Sequence, residues 1–183
     1  MEIEQTGLKD LLIVKPGIHQ DSRGYFFESY NQGEFRDAGI DIQFVQDNQS
    51  RSSYGVIRGL HYQLEPRAQT KLVRVLEGRI WDVAVDLRKN SPTFLQWMGV
   101  ELSAGNLLQL LVPRGFAHGF AVLSESAVVL YKCDELYAPD LEAGIRYDDP
   151  EIGVDWKIPP ENRVLSPRDA GMPDHKNAKM NFS

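Results

Sequence analysis

The sequence predicts an all-β fold, an antiparallel sandwich or barrel, and three observations point there. Turn signals recur roughly every eight to twelve residues. They are KPG at 15–17, DSRG at 21–24, EG at 77–78, NSP at 90–92, SAGN at 103–106, PRG at 113–115 and SES at 124–126. Between them lie short runs rich in Val, Ile, Leu, Phe, Trp and Tyr, the residues that suit a pleated, half-buried surface. Helical periodicity is almost absent.

Taken in order, the expected strands are LLIV (11–14), GVIRGLHYQ (55–63), KLVRVL (71–76), IWDVAVDL (80–87), WMGVEL (97–102), LLQLLV (107–112), FAVL (120–123) and AVVLYK (127–132). One weak helix candidate covers NQGEFRDA at 31–38. Past residue 138 the chain turns rich in Pro and Asp, which predicts loops with short helical turns. No repeat, linker or low-complexity stretch divides the chain, so residues 1–183 are expected to form one domain.

Composition excludes several classes of function. A net charge of −6 argues against nonspecific nucleic-acid binding, which wants a basic surface. The apolar stretches are far shorter than the roughly 20 residues of a membrane helix, so no membrane partner is expected. The N-terminal MEIEQTGLKD is acidic and polar, unlike a signal peptide. Cys133 is the only cysteine, which rules out an internal disulfide. A cytoplasmic location is the expectation.

Alternation along a strand sorts side chains by face. Lys71, Val73 and Val75 share one face; Trp81, Val83, Val85 and Leu87 form another apolar row. His118 lies with Phe120 and Val122, and Tyr131 with Val129 and Cys133, while Lys132 points the other way. Lys71, His118 and Tyr131 thus each stand on an apolar row, as the lining of an interior cavity requires. GVIRGLHYQ raises a parity problem. Val56, Leu60 and Tyr62 read as its apolar face, yet Arg58 and His61 fall on opposite sides of a regular strand. A bulge at Gly59 would bring both to one side.

The four histidines, at 19, 61, 118 and 175, form no HxH, HExxH or Cys/His pattern, so no metal site is expected. The chain has no P-loop, no GxGxxG and no GxSxG. With Lys132 pointing to the other face, Cys133 lacks a nearby electropositive setting and reads as a core residue. General acid–base chemistry without metal or cofactor is what remains.

RGLHYQ, KLVRVLEGRIWDVAVDLR, PRGFAHGF, LYKC, DPEIGVDW and LSPRD, in that order between about residues 6 and 170, together resemble the dTDP-4-dehydrorhamnose 3,5-epimerases. The resemblance implies a metal-free cupin jelly roll, a homodimer with an exchanged N-terminal strand, and inversion of C3 and C5 of a dTDP-linked 4-keto-6-deoxy sugar in dTDP-L-rhamnose biosynthesis. It implies that His61 is the base, Asp169 its carboxylate partner, Tyr131 the acid on the opposite face and Lys71 the group that steadies the enolate. It also assigns Arg23, Arg58, His118 and Arg168 to the pyrophosphate and sugar, and Phe26, Glu28, Gln46, Asp47, Asn48 and Glu142 to the nucleotide or the pocket rim. Two positions depart from the family pattern. Arg168 stands where many members have Lys, and KCDELY replaces a commoner Thr-containing run after Cys133.

The residues taken alone leave other functions open. A 3-monoepimerase or ketoisomerase on a related sugar nucleotide would use the same base. A metal-dependent cupin would need clustered histidines, and a noncatalytic sugar-binding jelly roll would not need both His61 and Tyr131.

Overall fold

The apolar runs between turns form strands in the computed structural model, which describes residues 1–183. In chain order they are β1 (Glu2–Gln5), β2 (Leu12–Lys15), β3 (His19–Asp21), β4 (Gly24–Phe26), β5 (Gln46–Ser53), β6 (Ile57–Gln63) and β7 (Lys71–Glu77). Then follow β8 (Arg79–Asp86), β9 (Trp97–Ser103), β10 (Gln109–Val112), β11 (Phe116–Val122), β12 (Ser126–Cys133) and β13 (Glu142–Gly144). The predicted helix is α1 (Gln32–Asp37), started by Asn31, whose side-chain oxygen accepts from the Gly33 and Glu34 N–H groups. A single-turn helix, α2 (Pro167–Ala170), lies in the Pro-rich C-terminal region.

The strands pair antiparallel into a six-stranded sheet, β1-β2-β10-β7-β12-β5, and a five-stranded sheet, β13-β6-β11-β8-β9. β3 and β4 form a hairpin apart from both. Val73, Val75, Ile80, Leu110, Phe120, Val122 and Val129 meet between the two sheets in the central core. This is the antiparallel sandwich that the turn spacing predicts, in the cupin-like jelly-roll form that the family resemblance implies.

Each sheet is also covered on its outer side. Leu12, Val14, Leu72 and Leu111 of the larger sheet pack beneath Phe35 of α1 and Ile40. Val83, Val85, Ala117 and Ala121 of the smaller sheet pack beneath Ile145, Ile152, Trp156, Ile158 and Phe182. The C-terminal region is therefore a fourth layer, and it explains the second apolar row along β8. Burying a side chain such as Val85 or Trp156 against that layer contributes on the order of 1.5–3 kcal/mol.

The parity problem of β6 is resolved as the sequence suggests. His118 stands opposite His61 but Phe120 stands opposite Arg58, so two steps along β11 match three along β6. The extra residue lies at Gly59–Leu60 and switches the side-chain frame. Ile57, Leu60 and Tyr62 enter the outer core, whereas Arg58 and His61 turn inward. One expectation is corrected here. Val56 packs against the central core, and Ile57 takes its place beside Leu60 and Tyr62, because the frame shift comes after position 57. Gly59 itself has φ +130°, and a Cβ there would sit 2.6 Å from Gly119 Cα and 2.8 Å from the His118 carbonyl oxygen. Only glycine fits.

Candidate active site

An open cavity of about 300 Å³ is lined by strands of both sheets. Its lining includes His61 from β6, Lys71 from β7, Tyr131 from β12, Gln46 and Asn48 from β5, and Glu142 from β13. His61 therefore projects from the five-stranded sheet, while Lys71 and Tyr131 project from the six-stranded sheet that faces it. The sandwich interior, apolar in the central core, is polar here.

His61 is held by Asp169. Its Nε2 lies 2.6 Å from Asp169 Oδ1, across 108 residues of sequence. When Nε2–H donates to the carboxylate, Nδ1 is left as the acceptor. Asp169 is buried and sits in α2 because Ser166 caps that turn, its hydroxyl accepting from the Asp169 N–H at 3.0 Å, with Pro167 preset for the first helical position. Burial alone would push the Asp169 carboxyl up. The hydrogen bond from His61, with further help from Ser166 and Arg168, outweighs burial and holds it below the ordinary carboxylate value.

On the facing wall, burial lowers the pKa of Lys71, with Cys133, Glu142 and Asp82 pulling the other way. Its Nζ lies 6.0 Å from the Tyr131 ring centroid. Burial also raises the pKa of Tyr131, so its hydroxyl keeps its proton at neutral pH. Cys133 is a core residue, as expected, and burial pushes its thiol up to about 11. Its setting is nonetheless corrected. Lys71 stands directly opposite Cys133 in the β7–β12 register, a neighbour that sequence distance hides.

The rim is organised by Glu142. It accepts from the Tyr137 hydroxyl at 2.6 Å and lies 2.7 Å from Arg168 Nη2. Burial would raise its carboxyl, but the bonds from Tyr137 and Arg168 outweigh that and lower it. Arg58 donates to Ser52 Oγ at 3.0 Å, reaching from one sheet to the other. His118 is buried, and its Nε2 lies 2.8 Å from Oδ1 of Asp82. Gln46 donates to Asn48 Oδ1 at 3.0 Å and takes the Tyr137 N–H at 2.9 Å.

Four sequence-derived site residues lie elsewhere in the chain. Asp47 faces outward and pairs with Lys132 at 3.0 Å, because alternation on β5 sends its odd positions away from the cavity that Gln46 and Asn48 line. Arg23 and Phe26 belong to the β3–β4 hairpin and line a separate surface depression. Arg23 is 88% exposed and bonded to Asp21, and Phe26 is 66% exposed. Glu28 accepts from Asn31.

Sequence reasoning missed Asp82, Gln63, Gln69 and Tyr137. Asp82 carried a readable signal, a carboxylate in the same inward row as Ile80 and Ala84. Tyr137 lies in the KCDELY departure, and Gln63 and Gln69 carry no signal beyond their nearness to the motifs. No group of three or more His, Cys, Asp or Glu side chains is placed to hold a metal ion. No helix is long and apolar enough to cross a membrane.

Comparison with known proteins gives this geometry a family. The sequence model described as dTDP-4-dehydrorhamnose 3,5-epimerase matches residues 5–177. The enzyme of that name from Shigella flexneri is 51% identical over 170 residues, 92% of this chain and 93% of its own length. The crystal structure of the dTDP-4-dehydrorhamnose 3,5-epimerase from Elizabethkingia anophelis superposes with a TM-score of 0.93 at 53% identity, covering 97% of both chains. The dTDP-6-deoxy-D-glucose-3,5-epimerase from Legionella pneumophila, solved in complex with dTDP-4-keto-L-rhamnose, gives 0.92 at 47% identity, covering 96% of this chain and 93% of its own. With the match spanning both sheets and the C-terminal layer, the chain belongs to the dTDP-4-dehydrorhamnose 3,5-epimerase family.

Proposed function

We propose that this enzyme inverts C3 and C5 of dTDP-4-dehydro-6-deoxy-D-glucose to give dTDP-4-dehydro-L-rhamnose, through an enolate and without metal or cofactor. One observation carries the reading. His61, paired with Asp169, and Tyr131 stand on opposing walls of the same cavity. A base on one wall and a protonated hydroxyl on the other is what inversion at carbon needs.

The proposed steps follow from that placement. His61 Nδ1 takes the proton from the carbon next to the C4 ketone, and Asp169 stabilises the imidazolium. Lys71 donates to the developing enolate oxygen, a contribution of roughly 3–4 kcal/mol for a well-placed donor. Tyr131 protonates the opposite face; once His61 has released its proton to solvent and Tyr131 has taken one up, the cycle repeats at C5. Arg58, His118 and Arg168 hold the pyrophosphate and sugar, with Gln46, Asn48 and Glu142 at the rim. The product stereochemistry distinguishes this reading from a 3-monoepimerase.

Incubation with the 4-keto sugar nucleotide in deuterated water, followed by NMR of the product, tests it. Deuterium at both C3 and C5 with inverted configuration is expected. His61→Asn should lower turnover at least about 10²-fold, the usual worth of a general base, with dTDP affinity retained. Inversion at C3 alone would replace the proposal with the monoepimerase, and full turnover by the variant would remove His61 as the base.

We further propose a homodimer in which the N-terminal part of the chain is exchanged, so that Arg23, Phe26 and Glu28 complete the second copy's nucleotide site. The outward hairpin with its exposed Tyr25 and Phe26 supports this. Neither His61→Asn nor Arg23→Ala should be active alone. A fully exchanged equimolar mixture of the two should recover up to about a quarter of wild-type activity, since about half of its dimers are mixed and each of those carries one intact site of two. No recovery on subunit exchange would refute the sharing. The reading places the reaction in the cytoplasm, consistent with a single, buried cysteine.

A further inference from the structure

His175 has no part in the chemistry above, yet it is buried and doubly tied. Its ring Nδ1 lies 3.0 Å from Asp149 Oδ2, and its backbone N–H donates to the same oxygen at 2.8 Å. Asp149 is buried as well, and its other oxygen accepts from the N–H groups of Glu151 and Ile152. The carboxylate thus joins two segments, the turn after Tyr147 and the chain six residues beyond Asp169. On its outer side His175 Nε2 lies 3.3 Å from Glu151, which also meets Lys176 at 3.0 Å.

The segment between Asp169 and His175 is fastened at two further points. Met172 packs over Gly144, where any Cβ would collide with its thioether. Gly144 is the register partner of His61 on β13. The Pro173 carbonyl accepts from the Arg146 N–H at 2.8 Å. α2 is a single turn, too short to fix its own direction, so its orientation depends on how the chain after it is anchored.

We propose that His175 is a positioning residue for the epimerase reaction, clamping the Asp169 segment to the Asp149 turn so that the carboxylate stays within bonding distance of His61. This rests on the reading of His61 and Asp169 as the catalytic pair. Displacing a catalytic group by about 1 Å from a remote site can cost up to about 10²-fold in rate. Loss of the clamp is expected to act on turnover far more than on substrate affinity.

The test compares His175→Ala with His175→Asn, whose side-chain amide can place a donor where Nδ1 stands. Each dimeric enzyme is assayed, and the downfield proton resonance of the His61–Asp169 bond, assigned by its loss in His61→Asn, is recorded well below the melting midpoint. His175→Ala should lower kcat by about 10- to 10²-fold with KM changed less than about twofold, and should shift or broaden the resonance. His175→Asn should restore both. Should the alanine variant fail to fold, His175→Gln, whose donor is displaced by one methylene, takes its place in the same comparison. An unmoved resonance overturns the proposal, whether kcat falls or not, because the effect would not pass through Asp169. The resonance needs no turnover, so failure of the clamp and failure of His61 as the base are read separately.

Discussion

His61 and His118 face each other across the β6–β11 ladder, and each directs Nε2 at a different buried aspartate, Asp169 for one and Asp82 for the other. The two pairs differ in what the ring can reach. His61 lines the cavity, whereas His118 is buried among strands, with Asp82 Oδ2 left without a partner. Asp169→Asn should therefore act on chemistry, lowering kcat by at least about 10²-fold through loss of the correct tautomer and of imidazolium stabilisation. Asp82→Asn should act through His118 on sugar binding, raising KM more than it lowers kcat. Steady-state kinetics on the two variants checks the contrast, and equal kcat losses would contradict it.

Tyr131→Phe removes a hydroxyl at little cost in shape. Deprotonation by His61 should persist, so the variant should still exchange substrate protons with deuterated solvent while forming much less inverted product. C5 should suffer most, since its inversion follows that at C3. Equal loss of exchange and inversion, measured by NMR, would assign Tyr131 to shaping the cavity.

Acid should loosen the layer that carries the site. The Asp149 and Asp169 carboxyls are both held below their ordinary value of 3.8 in the folded protein. For Asp149, burial opposes the shift, and the bonds from His175, Ile152 and Glu151 outweigh it. A depressed carboxyl contributes its stability above the unfolded value and loses it as pH falls through the folded one. The melting midpoint should be nearly flat from about pH 7 to 5 and drop below about pH 4. Asp149→Asn should melt about 4–8 °C lower at pH 7, for a loss of roughly 2 kcal/mol, and should show a shallower acid limb. A variant curve parallel to the wild type would contradict the assignment.

Gly59→Ala places a methyl against the His118 carbonyl and the Gly119 backbone, with φ in the left-handed half of the map. Neither neighbour is a flexible side-chain end. A stability loss of roughly 2–4 kcal/mol is expected, together with loss of activity, since the frame that turns His61 inward is disturbed. Chemical denaturation and the epimerase assay check the two effects together.

How far all of this was legible in the sequence depends on the element. Strands such as β7, β11 and β12 carry apolar rows, and those rows also reveal Lys71, His118 and Tyr131 as polar intruders. Strand β5, QDNQSRSS, carries no such row, because its inward positions Gln46 and Asn48 face a cavity and not a core. Hydrophobic patterning therefore passes over the strand that matters for the rim. Of the β3–β4 hairpin only the DSRG turn is legible for a related reason, since nothing in this chain buries its strands. His61 and Asp169 were joined by motif resemblance alone, as no local pattern links residues 108 positions apart. Asp47 turns away from the cavity because a motif names a neighbourhood, while strand parity decides the side.

That separation of 108 residues also governs when the enzyme becomes one. Both sheets contain only residues before 145, so they can pair before the segment bearing Asp169 has docked. Contacts between residues so distant in sequence carry the larger loop-closure cost and are favoured late. During refolding, β-sheet ellipticity should recover ahead of epimerase activity. The interval between the two signals would measure the docking of the C-terminal layer, and catalytic competence would serve as a clock for the last stage of folding.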